Sequence, residues 1–593
     1  MSSIAYNKGI KKILAPIIRE PIFLAFQILI LNTPVWIFWI TQYSSFFKLY
    51  AILAAPIILF TAYILTIAVY LIPKSKVSLY VVTYILTIFE TYIILNFGTR
   101  FNPSIFQLIA ETTLNEAREF ISTYIFTSNV LIYICALSAL VGINIYAEKS
   151  YCIKNLVSKC VQYVVSKIAL GVSVIILLCG TTSFFRDVRF IHCLISYPYT
   201  QVPGKLDRFV YGTNYTTFGK CIVAIYFHCS IMKDSDRLAK TMSELADVSS
   251  DFTSKKIVLI LGESFNKYHS SLYGYTLQTN SLIERERNNL YVMTDVVSPH
   301  NATSKCLRKL FSFSNQDSDV YWADTPLFPA LYKAAGFKVA LLSNQESKES
   351  SNNLWNSINN CLVSEETIPY QYDYINKQVY NLDMELVKEY ESKLVDVWAS
   401  VPQLVIFHLN GQHVNYNERY PEQNVAYNFK DYQARTDLNE AQKEVVMHYD
   451  NATHYNDKVV SSIIDLFRNE DAVIIYLSDH GDEVYDYRDH FGRSHEPIIT
   501  LGRAKYQYEV PFMIWVSDTY KENHPILIDK IASAVDKPFM TDDIPHLMLD
   551  LAGISSMWFE PSRSLVNEQY NANRKRLLED SKQDYDTIIR SLI

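Results

Sequence analysis

The chain has 593 residues, with 54 Lys plus Arg against 61 Asp plus Glu and a formal net charge of −7. That length is several times the ~150-residue prior for one domain, and without a basic excess the chain lacks the charge that drives phosphate-backbone binding, so nucleic acid is not an expected partner. Hydrophobic residues at 49%, with only 16 Gly and 20 Pro, exclude a disordered or low-complexity protein.

A mean hydropathy of +0.03 averages two unlike parts, because the long apolar runs lie before about residue 185 and the remainder reads as water-soluble protein. Five runs are expected to span a bilayer, over residues 22–41, 49–72, 79–97, 121–146 and 168–184. Each approaches the ~20 apolar residues that cross ~30 Å of hydrocarbon. The last is the shortest, and Lys167 at its start can lift its ammonium to the interface. Lys8, Lys11, Lys12 and Arg19 precede the first run, but its length and the four runs after it read as an anchor rather than a cleaved leader. Lys74 and Lys76 in one turn, and Lys149, Lys154, Lys159 and Lys167 in another segment, fall on the side of the N-terminus, which is cytoplasmic by the positive-inside rule. An odd number of spans puts the rest outside. The expected organisation is a five-helix transmembrane domain over residues 1–185, a connecting region over 186–250, and an extracytoplasmic α/β domain over 251–593.

Two features of the apolar half are candidates for function. Glu90 lies inside the third run, where an ionisable group is costly and faces a bundle interior, for packing or for substrate contact. In the following loop Thr112 and Glu116, spaced i, i+4, share one helix face, which reads either as an amphipathic helix on the bilayer or as a lipid-headgroup site. Cys135 and Cys179 lie in expected spans, and Cys152 and Cys160 in a cytoplasmic loop. Cys193, Cys221, Cys229, Cys306 and Cys361 then face an oxidising compartment, an odd set that allows two disulfides and one free thiol.

From Lys255 onward, short β-branched runs at residues 257–261, 337–342, 404–409, 473–477 and 510–516 alternate with helix-like stretches. This pattern predicts an α/β fold with a central, mostly parallel buried sheet, whose ligands gather at the carboxyl ends of the strands. Three runs end in residues able to bind a cation: Glu263-Ser264, His408 to His413, and Ser478-Asp479-His480. Any one alone reads as a cap or a surface pair. Together they deliver two carboxylates and an imidazole to one sheet edge, a mixed oxygen and nitrogen set suited to Zn2+ or Mn2+ if a fourth ligand exists. His408, within a strand run, reads as a hydrogen-bonded core residue, and His269 as secondary.

The run from Glu263-Ser264-Phe265-Asn266 through His269 to Gly274-Tyr275, the segment from His408 to Arg419-Tyr420-Pro421, and Ser478-Asp479-His480-Gly481 resemble, in order, the signature of the membrane phosphoethanolamine transferases of the alkaline phosphatase and sulfatase superfamily. The resemblance covers nearly the whole chain, since that family also carries five spans ahead of a periplasmic α/β domain. It implies a threonine nucleophile about forty residues after the glutamate; in the segment Ser298 to Ser312, counting back from Phe311 selects Thr303, with Ser304 as its rival. It further implies that Glu263, Thr303, Asp479 and His480 form the metal site. His413, with His490 or His495, would serve a second metal or phosphate position, His490 being preferred and Arg493 standing where some relatives have the histidine. The donor would be phosphatidylethanolamine, the acceptor lipopolysaccharide, and the setting the bacterial inner membrane and its lipid, with the protein a monomer. Only Cys306 remains of the cysteine pair that flanks the threonine in the lipid A-modifying branch, which makes the branch that modifies the lipopolysaccharide core the closer resemblance. Chemistry independently favours a metal-bound threonine, because an alcohol is a poor nucleophile at neutral pH until a dication favours its alkoxide. The runner-up is a phosphoglycerol transferase of the lipoteichoic acid synthase type. A sulfatase activity would need Cys/Ser-x-Pro-x-Arg, which residues 298–312 lack, and an inert anchored binding protein would have no use for the four site residues.

Overall fold

The computed structural model describes residues 15–41, 45–97, 100–101, 128–150, 152–153, 155–157, 159, 234–345, 363–494, 496 and 498–590. The chain forms two compact units, one drawn almost wholly from residues up to Cys229 and the other almost wholly from residues after it.

The first unit contains helices α1 (Pro21–Thr41), α2 (Ser45–Leu71), α3 (Lys76–Phe97) and α4 (Ser128–Lys149). Among the described residues three stretches are long and apolar enough to cross a membrane, Pro21–Phe38, Pro73–Asn96 and Ile132–Lys149, alongside the shorter apolar Ile58–Leu71. The three overlap the first, third and fourth expected spans, and Ile58–Leu71 lies within the second. The fifth, residues 168–184, lies outside the described residues, as do Thr112 and Glu116. Glu90 is completely buried and meets Arg100 at 2.6 Å, so its charge is paired within the bundle. Lys76 at the start of α3 joins Glu20 at 2.7 Å and Glu148 at 2.8 Å, tying the ends of three helical segments together.

The second unit is built on a seven-stranded sheet. Its strands are β1 (Lys256–Gly262), β2 (Leu290–Met293), β3 (Lys338–Ser343), β4 (Tyr374–Ile375), β5 (Gln403–His408), β6 (Ala472–Ser478) and β7 (Phe512–Val516), in the order β2-β7-β6-β1-β5-β3-β4. Strands β6, β1, β5 and β3 are parallel, as their continuous apolar runs buried on both faces lead one to expect, and the short edge strand β4 runs the same way. Alternation along β1 sends Ile257, Leu259 and Leu261 into one core and Val258 and Ile260 into the other. On the second face lies the long helix α7 (Glu440–Phe467), whose Val459, Val460, Ile463 and Ile464 pack against the sheet.

Three features depart from the expected pattern. The run ending at Val516 belongs to the sheet but β7 is antiparallel to β6. Its chain stays at the edge where β6 ends, since Gly481 N–H bonds to the Gln507 carbonyl at 3.1 Å, so no crossover returns it to the opposite edge. Strands β2 and β4, at the two sheet edges, are too short to stand out as apolar runs. Helix α5 (Asp234–Ser243), in the stretch expected as a connector, buries Leu238 and Met242 in the first core. Their i, i+4 spacing places both on one face. Cys306 is buried and forms no disulfide among the described residues, while Cys193, Cys221, Cys229 and Cys361 lie outside them.

Candidate active site

Strand register assembles the site. Gly262 lies opposite Ser478 across the β1/β6 pair and Leu261 opposite His408 across β1/β5, so Glu263, Asp479 and Leu409 leave three adjacent strands at one level. The Asp479 N–H donates to the Gly262 carbonyl at 3.1 Å, and the Gln412 N–H to the Glu263 carbonyl at 3.0 Å. Gly411 makes that approach possible. It has φ +49°, and a Cβ there would lie 3.0 Å from both the nitrogen and the carbonyl oxygen of Glu263.

The fourth group arrives on helix α6 (Thr303–Phe311). Ala302 is extended, with φ −132°, and Thr303 is the first helical residue. Leu307, Leu310 and Phe311 are buried, Phe311 stacks on Phe328 at 5.1 Å, and Arg308 and Lys309 in the last turn complement the helix dipole. Thus anchored, Thr303 holds its Oγ1 3.1 Å from Glu263 Oε2, 3.3 Å from Oε1 and 3.2 Å from His480 Nε2. The hydroxyl that reaches the carboxylate and the imidazole is that of Thr303; Ser304 beside it is buried.

Glu263, Asp479 and His480 are all buried, and one potential ligand atom from each lies within 4.8 Å of the others. His480 Nδ1 sits 2.8 Å from the Gly481 carbonyl and so carries a hydrogen, which leaves Nε2 as the ring nitrogen that faces the cluster. Asp479 Oδ1 accepts from the Ser264 and His480 N–H groups at 3.1 and 2.7 Å. Its Oδ2 is buried, accepts no hydrogen bond from the described residues, and lies 3.2 Å from His480 Nε2.

The electrostatics follow from that crowding. Burial opposes ionisation of Glu263, but His480, with His413 and Arg493, outweighs it and holds the carboxyl well below its usual range. Burial and the Glu263 charge together raise Asp479. Burial pulls His480 down, yet Asp479 and Glu263 push it above the usual imidazole value. Two carboxylates this close cannot both ionise cheaply without a cation between them. The orphaned Asp479 oxygen, the Nε2 lone pair and the mixed donor set fit a divalent ion.

Of the other expected site residues, His413 is half-buried and close enough for its charge to act on Glu263, but it is not one of the three clustered ligands. His490 is also outside the cluster, with its ring 6.0 Å from that of Phe491, and His495 lies outside the described residues. The cation standing against the cluster is Arg493, whose Nη1 is 2.7 Å from His480 Nε2 and 3.3 Å from the Asn301 carbonyl. His408 is a core residue, 3.1 Å from Ser343 Oγ, and burial pushes its imidazole down to about 4. His269 is buried between carboxylates, with Nδ1 2.6 Å from Asp450 and Nε2 3.3 Å from Asp486. Burial works against its protonation, but the two carboxylates prevail and push it up to about 10. The His269–Asp450 pair ties the loop after β1 to α7, and Tyr449 of α7 adds to the tie through its bonds to the Ser264 carbonyl (2.7 Å) and the Asn266 N–H (2.6 Å).

Gln345 was not singled out by sequence, although its place two residues beyond β3, on the same edge, is the available signal. Its Nε2 donates to Glu263 Oε2 and to the Leu409 carbonyl, both at 3.0 Å.

Comparison with known proteins locates this arrangement. The sulfatase family profile matches residues 255–554, and the profile described as phosphoethanolamine transferase EptA/EptB matches residues 57–202. Phosphoethanolamine transferase EptC of Escherichia coli (strain K12) is 27% identical over 507 residues, 83% of each chain. Kdo(2)-lipid A phosphoethanolamine 7''-transferase of the same organism is 28% identical over 272 residues, 45% of each chain. The integral membrane lipooligosaccharide phosphoethanolamine transferase A of Neisseria meningitidis aligns with a TM-score of 0.59 at 17% identity, covering 92% of this chain and 97% of that one, a likeness of fold.

Proposed function

The chain belongs to the sulfatase family, and from that premise we propose that it transfers phosphoethanolamine from phosphatidylethanolamine to a lipopolysaccharide acceptor through a covalent intermediate on Thr303. The observation that carries this reading is the Thr303 hydroxyl, 3.1 Å from Glu263 and 3.2 Å from His480 at the start of α6. The donor headgroup is taken from the phosphoethanolamine transferases that resemble the chain over 83% of its length.

Glu263, Asp479 and His480 would hold a zinc ion, which when bound would supply the positive charge that favours an ionised threonine hydroxyl and polarises a phosphoryl oxygen. The N-terminus of α6 favours the same negative charge at Thr303. Thr303 Oγ forms a bond to phosphorus as the bond from phosphorus to the glycerol oxygen breaks, and diacylglycerol leaves having gained a proton. An acceptor oxygen then bonds to the same phosphorus, Thr303 Oγ is released, and the acceptor's proton returns to it. Arg493, beside His480, and His413, whose charge acts on Glu263, place positive charge where the phosphoryl oxygens gather negative charge.

Five spans with the catalytic unit in the periplasm, anchored in the bacterial inner membrane, complete the reading. Tethering raises the effective concentration of a lipid donor, and Thr112 and Glu116 are the proposed headgroup contacts. The lone Cys306 favours the lipopolysaccharide core over lipid A as acceptor. Mass spectrometry of lipopolysaccharide from cells with and without the protein tests this. An added ethanolamine phosphate on the core is expected; its placement on a lipid A phosphate would overturn the acceptor, and release of phosphoglycerol from phosphatidylglycerol would overturn the donor.

A further inference from the structure

The Glu263 carboxylate is held at both of its oxygens by side chains that belong to no expected ligand set. Ser264 Oγ donates to Oε1 at 2.6 Å, and Gln345 Nε2 donates to Oε2 at 3.0 Å while also bonding the Leu409 carbonyl. The Ser264 N–H donates to Asp479 Oδ1 at 3.1 Å, so one residue grips both carboxylates of the cluster.

The conformation of Ser264 shows that this grip is not incidental. Its φ is +57°, in the left-handed region where glycine is the favoured residue and any other side chain is strained. The neighbouring backbone enforces the conformation: the Phe265 N–H is held by Ser478 Oγ at 2.9 Å, and the Ser264 carbonyl by Tyr449 at 2.7 Å. A glycine would relieve the strain and keep the N–H bond to Asp479. What it would lose is the hydroxyl on Glu263.

A terminal carboxylate torsion is broad and roughly two-fold, so an unrestrained glutamate would present its lone pairs in many orientations. Hydrogen bonds to a ligating carboxylate remove that freedom and tune its basicity. We propose that Ser264 and Gln345 are positioning residues that fix the Glu263 carboxylate, and through it set the affinity of the site for its metal ion. The inference rests on the metal site of the proposed function.

The test measures zinc binding to the full-length protein in detergent, by competition with a chromogenic chelator, alongside thermal unfolding of the chelator-stripped protein. Ser264→Ala, Ser264→Gly and Gln345→Leu are each expected to weaken zinc binding by about 10- to 100-fold, with the metal-free unfolding temperature little changed. Wild-type affinity in Ser264→Gly and Gln345→Leu would overturn the inference, because glycine removes the hydroxyl without adding strain. Gln345 is only half-buried, so its variant decides the matter even where a Ser264 variant fails to fold. Glu263→Gln separates the two claims. If it abolishes zinc binding while the Ser264 and Gln345 variants retain it, the positioning role falls and the metal site stands; if Glu263→Gln keeps zinc, the metal site falls and the inference with it.

Discussion

Each compact unit buries a glutamate completely, Glu90 in α3 and Glu263 after β1, and their surroundings differ. Glu90 meets the guanidinium of Arg100, 2.6 Å away, ten residues along its own chain. Glu263 is packed beside a second buried carboxylate, Asp479, one of whose oxygens accepts no hydrogen bond from the described residues. A buried charge matched by an opposite charge is a structural element. A buried pair of carboxylates in which Glu263 is kept ionised by His480, His413 and Arg493 while Asp479 is pushed toward its neutral form is a site that gains stability from a further cation. Burial of an acid thus does not distinguish structure from chemistry; the balance of charge around it does.

Four experiments break or sharpen that contrast. Thr303→Ala should lower transferase activity by about 10^4-fold or more, as loss of a nucleophile does elsewhere, while zinc content stays constant; unchanged activity would remove the chemistry from the second unit. Breaking the Glu90 pair by Arg100→Ala should cost about 3–5 kcal/mol of stability in the first unit, and replacing both residues by leucine should restore most of it. Asp479→Asn should behave in the opposite sense, leaving the metal-free second unit as stable or more stable, because burial and the Glu263 charge both oppose ionisation of that carboxyl. Chemical denaturation in a chelator reads both. A smaller effect is expected from Arg493→Ala, about 10^2-fold in kcat, with Arg493→Lys intermediate if charge opposite the phosphoryl oxygens is what the residue provides. A separate readout is a slope with pH. The His269 imidazole, raised to about 10 in the folded protein, contributes stability that is complete below its unfolded value of ~6.5 and is lost as the pH rises through about 10. Unfolding followed from pH 6 to 10 should therefore show stability falling in the wild type and a flatter profile in His269→Gln.

Much of the second unit was legible because its chemistry sits at strand ends. The apolar runs of β1, β5 and β6 are long and buried on both faces, so their carboxyl ends could be located, and with them Glu263, His408 and the Asp479-His480 pair. Thr303 needed the family resemblance, since nothing in the local pattern of α6 separates its hydroxyl from that of Ser304. The direction of β7 was not legible, because periodicity reports which residues are buried and not whether a crossover has occurred. Gln345 and the left-handed Ser264 escaped for a related reason: a glutamine after a strand and a serine after a glutamate are ordinary in sequence, and only register brings them to the same carboxylate. Arg493, thirteen residues after His480, comes back to Nε2 through a loop whose path no spacing rule predicts.

The central claim is that the Thr303 hydroxyl carries the phosphoryl group between donor and acceptor. Incubating the full-length protein with phosphatidylethanolamine in the absence of lipopolysaccharide, quenching with acid and mapping the peptides by mass spectrometry tests it most directly. The account predicts a phosphoethanolamine adduct on Thr303 that disappears when acceptor is added. An adduct on Ser304, or diacylglycerol release with no adduct on the protein, would contradict it.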